Sequence, residues 1–388
     1  MSHDSSGDLT RTLRERADDV TGTALTFDDV RGRAGQIRRR RRAGVAAGVA
    51  LVAAVVLPIA LLGGAGADKS DPGPANPSPT HAVDPNAAGV PTLQDDVIIY
   101  PEGPRIPVRL PRNARVMSFT PLWTDRFVIS TLDDDGTKIS LLDQNGNGVD
   151  HFPTTGGSLA VAADRSAVAW MGTDGSPQLL VAGSDAPRTL GRVPGVMPAL
   201  VAITGDCRTD CEVVGRSQDG KGEFDGSWAA SSNGGVRDLP TALPAVMDAT
   251  SDGDLLAAIT GIAADDIHAC GGVYDVGAAD LLWDTCEDNV FLFSPDGALV
   301  MTLFAEGAGP LSLTIRDARS GAPVATYDDG LIKSWAWEDD DHLLAVVAAA
   351  DGAVSLQRIG TDGRSETVLD GFHVDDPTLD VPLQLPRS

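Results

Sequence analysis

Recognisable catalytic motifs are missing from this sequence of 388 residues. It contains no GxSxG, HExxH or SxxK motif and no phosphate-binding loop. Its six histidines are scattered and include no pair with metal-ligand spacing: His3, His81, His151, His268, His342 and His373. The sequence therefore predicts no catalytic residue and no cofactor, and it favours a protein that is not an enzyme. A pair of carboxylates brought together by folding would escape such a search.

Basic residues are also scarce. The chain has 30 lysines and arginines against 55 aspartates and glutamates, which gives a net charge of −25. Residues 1–42 hold ten arginines and seven acidic residues, a net charge of +3, so the rest of the chain carries −28. An acidic surface repels phosphate backbones. This charge excludes nucleic acid as a partner of the larger part of the chain.

Residues 43–67 lack charge altogether, and five arginines, Arg38 to Arg42, precede them. A helix of twenty residues is about 30 Å long, which matches the hydrocarbon core of a bilayer. Arginine clusters remain on the cytoplasmic side of a membrane. We therefore expect a basic cytoplasmic tail over residues 1–42, one transmembrane span, and an extracytoplasmic location for everything after Ala67. The predicted localisation is the cell membrane.

Two alternatives exist for this segment. Ala65, Gly66 and Ala67 form a small-residue pattern of the kind that signal peptidase cleaves. However, a leader of about forty residues is long for a signal peptide, and the apolar core exceeds the usual length of roughly 7 to 15 residues. The second alternative, a helix buried in a soluble core, would need partners for five arginines. We therefore predict a retained signal anchor over residues 43–67.

The segments on either side of the anchor differ in character. In the tail, Leu9, Leu13, Ala17 and Val20 recur at spacings of three and four residues, which predicts a short amphipathic helix. Residues 8–20 are thus a candidate binding segment for a cytoplasmic partner; the alternative is a tail that only sets orientation. After the anchor, six prolines within residues 68–91 predict an extended extracytoplasmic linker.

Cysteine is rare, and all four cysteines follow the predicted anchor: Cys207, Cys211, Cys270 and Cys286. Thiols pair in an oxidising compartment, and four cysteines allow three connectivities. We predict pairing of nearest neighbours, Cys207 with Cys211 and Cys270 with Cys286. A zinc site is the alternative, but fifteen residues separate the second pair and only His268 lies near it.

Helical periodicity is nearly absent from residues 96–369, where short apolar runs alternate with turn residues. Six such runs begin 40 to 45 residues apart, at Phe127, Ala167, Glu212, Leu255, Leu299 and Leu343. A period in the low forties, with four strands per unit, predicts an all-β fold with a β-propeller over residues 92–388. Six clear copies leave six or seven blades open. We expect a hairpin over residues 96–110 to meet the segment 372–385 and close the ring.

One stretch carries a family resemblance. Phe293, Ser294, Pro295, Asp296 and Gly297 precede an apolar run, and this stretch resembles the FSPDG opening of TolB-like and WD-repeat-like propeller blades. With the arginine-rich anchor, the chain resembles membrane-anchored propellers of high-GC Gram-positive, actinobacterial type. The resemblance spans roughly residues 115–370. The other blades have diverged and the Trp-Asp ending of a WD repeat is absent, so the resemblance implies a fold and a location rather than an activity.

One turn has the spacing of a calcium loop. Asp143, Asn145 and Asn147 place oxygen atoms at alternate positions, and Gly148 is sixth. The twelfth position is Thr154 instead of glutamate, and the run lies where a hairpin turn is expected. A plain turn is the preferred interpretation, and a calcium site is the weaker alternative.

These patterns favour a membrane-tethered, extracytoplasmic propeller that binds proteins of the cell envelope as a scaffolding module. Propellers present loops on two faces and a central funnel, which suits docking. Two alternatives stay open. One is an anti-sigma-like signalling regulator that relays binding through the anchor to the tail, although the tail lacks a zinc-binding His/Cys pattern. The other is a glycan-binding or hydrolytic propeller enzyme.

Overall fold

The computed structural model describes residues 90–100, 103–110, 114–123, 126–195, 197–262, 269–306, 309–374 and 383–387. The predicted tail, anchor and most of the linker, residues 1–89, lie outside the described residues. Within the described ranges the chain forms 28 strands and no helix. Nothing in those ranges is therefore a helix long and apolar enough to cross a membrane.

The strands form seven four-stranded antiparallel sheets, which are the blades of a propeller. Blades 1 to 3 contain β4 to β15: Arg115–Leu122, Arg126–Asp133, Gly136–Asp143 and Gly148–Pro153; Ala160–Val161, Ala167–Met171, Pro177–Val181 and Arg188–Thr189; Ala199–Asp206, Asp210–Gln218, Phe224–Ser231 and Val236–Asp238. Blades 4 to 6 contain β16 to β27: Ala245–Ala249, Leu255–Ile262, Ala269–Asp275 and Asp280–Thr285; Asn289–Phe293, Leu299–Glu306, Gly309–Asp317 and Pro323–Tyr327; Leu331–Trp337, His342–Ala348, Ala353–Gly360 and Ser365–His373. In each of these six blades the strands lie in chain order across the sheet.

The seventh blade joins the two ends of the propeller. It contains β1 (Thr92–Gln94), β2 (Val97–Ile99) and β3 (Arg105–Pro107), and its first strand is β28 (Leu383–Gln384). Leu93 pairs with Gln384 and Gln94 with Leu383. Ring closure by the two ends is therefore confirmed, and of the two predicted blade counts the structure has seven. The pairing is made by β1, just before the hairpin that the sequence indicated.

The six sequence repeats are confirmed as equivalent positions of the fold. Each apolar run lies in the second strand of its blade: β5, β9, β13, β17, β21 and β25. The β1–β2–β3 unit escaped the periodicity because its strands are only three residues long. A strand this short carries too little alternation to be counted as a copy.

The core consists of seven apolar clusters among the described residues, each shared by two neighbouring blades. Trp228 of blade 3, for example, packs against Leu179 of blade 2. The cluster around Leu383 joins blades 6 and 7, and the cluster of Leu93 and Phe119 joins blades 7 and 1. No blade buries its faces alone, which is the physical reason that the ring must close.

The hairpin turns are built by aspartate. In eleven turns an Asp Oδ1 accepts the N–H of the residue two positions further on, at 2.7 to 3.0 Å: Asp133, Asp143, Asp164, Asp174, Asp206, Asp219, Asp252, Asp296, Asp339, Asp351 and Asp362. Such Asx turns orient the chain reversal through a side-chain bond. Much of the acidity of the chain therefore serves turn formation as well as solubility.

Both disulfides have the nearest-neighbour pairing. Cys207–Cys211 spans the turn between β12 and β13, and Cys270–Cys286 connects β18 to the residue after β19. Each bridge therefore lies within a single blade, in blade 3 and blade 4 respectively. Because the two bridges are local, they strengthen individual sheets and leave ring closure to β28.

Candidate functional site

A large cavity among the described residues lies where the first strands of blades 1, 6 and 7 meet. It has a volume of about 660 Å³, and we call it the central pocket. Its lining comes from β4 and β24 and from the segment that begins with β28: Arg115, Met117, Ser118, Lys333, Ser334, Trp335, Gln384, Leu385, Pro386 and Arg387. The first strands surround the axis of a propeller, so the pocket belongs to the central channel.

The C-terminal segment 383–387 is fixed in the channel by backbone and side-chain hydrogen bonds to blade 1. The N–H of Arg387 donates to the carbonyl oxygen of Phe119 at 2.9 Å, and the Thr120 hydroxyl donates to the carbonyl of Arg387 at 3.2 Å. The Gln384 amide donates to the carbonyl of Val116 at 3.1 Å. These bonds involve the backbone of Arg387, so its guanidinium is available to the channel.

The pocket lining is cationic. Arg115, Lys333 and Arg387 contribute positive charge, and among the described residues no aspartate, glutamate, histidine or cysteine lines the pocket. Neither Arg115 nor Arg387 has a carboxylate within 4 Å among the described residues. A positive cavity inside a chain of net charge −25 is opposite in sign to its surroundings.

Arg387 combines a central position with solvent access. The ring surrounds it, and burial lowers the pKa of its guanidinium while the carboxylate of Asp248 opposes that shift. The residue as a whole is nevertheless exposed, and it lines the pocket. An arginine stays protonated near neutral pH. Arg387 is therefore a cation directed at the solvent of the pocket.

A second cation, Arg216, lies near Arg387. Burial lowers the pKa of Arg216, and repulsion by Arg387 lowers it further. The guanidinium of Arg216 contacts the sulfur of Met247 and stacks over the ring of Phe224 at 5.3 Å. Arg387 and Arg216 thus place two positive charges near each other.

Asp248 is the acidic group whose charge acts on Arg387. Burial raises the pKa of Asp248 to about 7, against the lowering effects of the backbone N–H groups of Phe293 and Ala249 and of Arg387. The Phe293 N–H donates to Asp248 Oδ2 at 2.8 Å, which links blade 4 to blade 5. Near neutral pH this carboxyl is therefore only partly ionised.

Asp248 also lines a second, narrower cavity of about 60 Å³, together with Thr250, Ser294 and Trp337. This volume holds about two water molecules, each of which occupies roughly 30 Å³ in the liquid. A carboxyl with a pKa near 7 has the acidity of a general acid or base. Through its bond to the Phe293 N–H, Asp248 also links two blades.

The weak calcium candidate forms the turn between β6 and β7. Asp143 Oδ1 accepts the N–H groups of Asn145 and Asn147 at 2.8 and 2.9 Å, and Oδ2 accepts the Asn147 amide at 3.1 Å. The pKa of Asp143 is lowered mainly by the hydrogen bond from the backbone N–H of Asn147, and next by the hydrogen bond from the side chain of Asn147. Both carboxylate oxygens are thus used within the turn, and Gly146 packs against the carbonyl of Pro107 in blade 7. Among the described residues no group of three His, Cys, Asp or Glu side chains is arranged to hold a metal ion.

The residues of the central pocket were not identified from the sequence. Arg115 precedes Lys333 by 218 residues and Arg387 by 272 residues, so the set spans the propeller from one end to the other. One signal was present, since Lys333 and Asp248 are charged residues inside otherwise apolar first strands, LIKSWAW and AVMDA. That signal becomes informative only when the strand is known to line the channel.

No family model matches the chain, and no match was found among curated proteins. Among solved structures the chain is similar to the putative TolB from Agrobacterium tumefaciens, with 16% sequence identity and a TM-score of 0.42. That match covers 58% of this chain and 85% of the other. The seven four-stranded sheets of this chain and its ring closure by β28 define it as a seven-bladed β-propeller.

Proposed function

We propose that this chain is a membrane-tethered, extracytoplasmic binding module that docks a protein of the cell envelope at the central pocket. The observation that carries the proposal is the pocket itself, an opening of about 660 Å³ with exposed arginines beside apolar side chains. Met117 is 47% exposed there, and Trp335 packs edge-on against Phe291 with ring centroids 5.7 Å apart. Methionine and aromatic side chains are enriched in protein interfaces.

Binding is a better account of this pocket than catalysis. Acid–base or nucleophilic chemistry needs a titratable group or an activated nucleophile beside the substrate. The Ser118 hydroxyl donates to the carbonyl of Gly157 at 2.8 Å, and none of the described residues that line the pocket carries an imidazole or carboxylate to activate it. We therefore propose that the chain is a binding module rather than an enzyme. This proposal also sets aside the glycosidase alternative.

The tether in this proposal consists of residues 43–67, with the arginines before them on the cytoplasmic side. Support comes from the uncharged run and from the proline-rich linker, which would hold the propeller away from the bilayer. Protease added to intact cells without an outer barrier should then remove an epitope at the C-terminus and spare one at the N-terminus. Loss of both epitopes, or of neither, would contradict the proposed topology.

Docking at the central pocket is tested by site-specific photocrosslinking in living cells. A photoreactive amino acid replaces Met117 in one variant and Val149 in a matched control. Both positions lie in blade 1 and both are exposed, but Val149 is on the outer strand β7. We expect a discrete adduct with an envelope protein from position 117 alone. Equal labelling from position 149, or no adduct from either position, would contradict docking at this pocket.

The same variants separate scaffolding from signalling. An adduct that also forms when residues 1–36 are deleted supports a module that acts through its propeller alone. Deletion of the tail could instead abolish a cytoplasmic response without changing the adduct at position 117. That result would show that binding at the propeller is also signalled through the tail.

A further inference from the structure

The central pocket also indicates what kind of partner it binds. We propose that the pocket binds a short acidic peptide segment of the partner, whose carboxylates pair with Arg115 and Arg387. This inference deepens the proposed function and rests on it.

The first argument is the unmatched positive charge. Arg115 and Arg387 both face solvent, and neither forms an ion pair within the part of the chain that the structure describes. Other arginines of the propeller are paired: Arg316 with Asp288 at 2.6 Å, Arg237 with Glu212 at 2.5 Å, and Arg358 with Glu338 and Glu366. Asp248 acts on Arg387 only at longer range than an ion pair, so both arginines can still contact a carboxylate from outside.

The second argument is the shape and polarity of the pocket. Its volume lies within the range of roughly 300 to 1,000 Å³ that is typical of ligand sites. Met117, Trp335 and Leu385 form an apolar surface between the cations. Gln384 and Ser334 add polar groups to the same lining. This combination fits a segment that alternates acidic and apolar side chains.

The third argument concerns the size of the anion that the pocket can accept. The sequence outside the tail carries −28, and eleven aspartates lie in turns between strands, at the faces of the ring. A long polyanion such as nucleic acid would meet this rim before it reached the axis, and the repulsion would outweigh two or three favourable contacts. A short acidic cluster enters the positive channel and places little charge against the rim. A peptide segment therefore fits better than a nucleic acid.

The test uses the full-length protein in detergent and measures fluorescence anisotropy. The probe is a fluorescein-labelled hexapeptide of alternating glutamate and leucine, and the matched probe has glutamine in place of glutamate. We expect the glutamate peptide to bind at least about tenfold more tightly, since a hydrogen bond to a charged group contributes roughly 1.5 to 3 kcal/mol. Binding of the glutamate peptide should also weaken as salt is raised.

Variants of the protein test the site. The double substitution R115Q/R387Q should weaken binding of the glutamate peptide at least about tenfold, because both carboxylate partners are removed. R188Q/R364Q is the control, since it removes the same charge from two exposed arginines on the outer part of blades 2 and 6. Neither pair of substitutions disturbs a backbone bond of the C-terminal segment, and thermal unfolding verifies that both variants are folded.

Several results would overturn the inference. These are equal affinity for the two peptides, no binding of the glutamate peptide, an equal loss in R188Q/R364Q, or tighter binding of a single-stranded DNA 20-mer. They are distinct from failure of the proposed function. A photocrosslink from position 117 together with equal peptide affinities would leave docking at the pocket intact and remove only its acidic character.

Discussion

The carboxylate of Asp248 accepts a hydrogen bond from the backbone N–H of Phe293, with a distance of 2.8 Å between N and Oδ2. An ionisable side chain of blade 4 is thereby fixed to the first strand of blade 5. Burial raises the pKa of this carboxyl to about 7. Its protonation state consequently affects how two neighbouring blades hold together.

The first prediction is that Asp248 makes the free energy of unfolding depend on pH. An unfolded aspartate has a pKa near 3.9, so between about pH 4 and pH 7 the folded protein binds a proton that the unfolded chain has lost. The free energy of unfolding therefore falls as pH rises through this window, by up to about 4 kcal/mol. Above pH 7 the free energy of unfolding stays at its lower value, because the carboxyl is then ionised in both the folded and the unfolded state.

The variant Asp248→Asn isolates this term, because asparagine keeps an oxygen for the Phe293 N–H and cannot ionise. We expect the melting temperature of the wild type, relative to that of D248N, to rise when the pH is lowered from 8 to 5. Differential scanning fluorimetry at several pH values measures the difference. A difference that stays constant with pH, or that falls on acidification, would refute the raised pKa.

The second prediction concerns the ion pair of Arg316 and Asp288. Their side chains are 14% and 8% exposed, and Arg316 also donates to the carbonyl of Gly321. Removing the cation leaves a buried carboxylate without its partner, so Arg316→Met should lower the free energy of unfolding by about 3 to 5 kcal/mol. Asp288→Asn in the R316M background should restore part of the loss, since it removes the uncompensated charge.

An exposed pair provides the control for that prediction. Arg237 and Glu212 are 52% and 31% exposed. Solvent screens such a pair, so Arg237→Met should cost less than about 1 kcal/mol. Urea titrations of the variants give the comparison. Equal costs for R316M and R237M would show that burial does not set the strength of the Arg316–Asp288 pair.

The third prediction concerns ring closure. Leu383 is completely buried between blades 6 and 7, and β28 is only two residues long. Leu383→Ala should destabilise the propeller by about 2 to 5 kcal/mol, because it removes apolar contact and leaves a cavity at the closing blade. Leu132→Ala, at a position 41% exposed on β5, should change stability by less than about 1 kcal/mol. Comparable losses at both positions would argue against closure at β28.

The fourth prediction ranks the two disulfides. Cys270–Cys286 closes a longer loop than Cys207–Cys211, with sequence separations of 16 and 4. On the chain-entropy estimate the longer loop contributes about 3 kcal/mol and the shorter one about 2 kcal/mol. The variant C270S/C286S should therefore unfold at lower urea concentration than C207S/C211S. Peptide mapping without reductant should recover both bridges and no free thiol, and a cross-blade bridge would contradict the assignment.

Sequence periodicity predicted the blades well where the strands are long. The runs at Phe127 and Leu343 lie in strands of eight and seven residues, and the Asp-Gly turns that follow them fix the register of each hairpin. Periodicity did not reveal β1 to β3, because three residues give no measurable alternation. The choice between six and seven blades consequently required the structure.

The central pocket could not be predicted for a different reason. Arg115 and Arg387 become neighbours of one cavity only because β28 returns to pair with β1. Nothing local in the chain near Arg387 indicates that this segment will lie at the axis. Local residue patterns predict strands and turns, whereas a site assembled by ring closure depends on the number of blades between its two contributors.

Ring closure by β28 also imposes an order on biosynthesis. Thr92 to Gln94 leave the ribosome early, but their partner strand, Leu383–Gln384, is translated only after all six other blades. Until then the blades that have already emerged expose an apolar face on either side of the gap, where Leu93 and Leu331 are later buried. A nascent propeller of this kind is vulnerable to aggregation and proteolysis for the whole time of its synthesis. Export in an unfolded state, with closure after the last residues have crossed, would shorten that exposure to a single event.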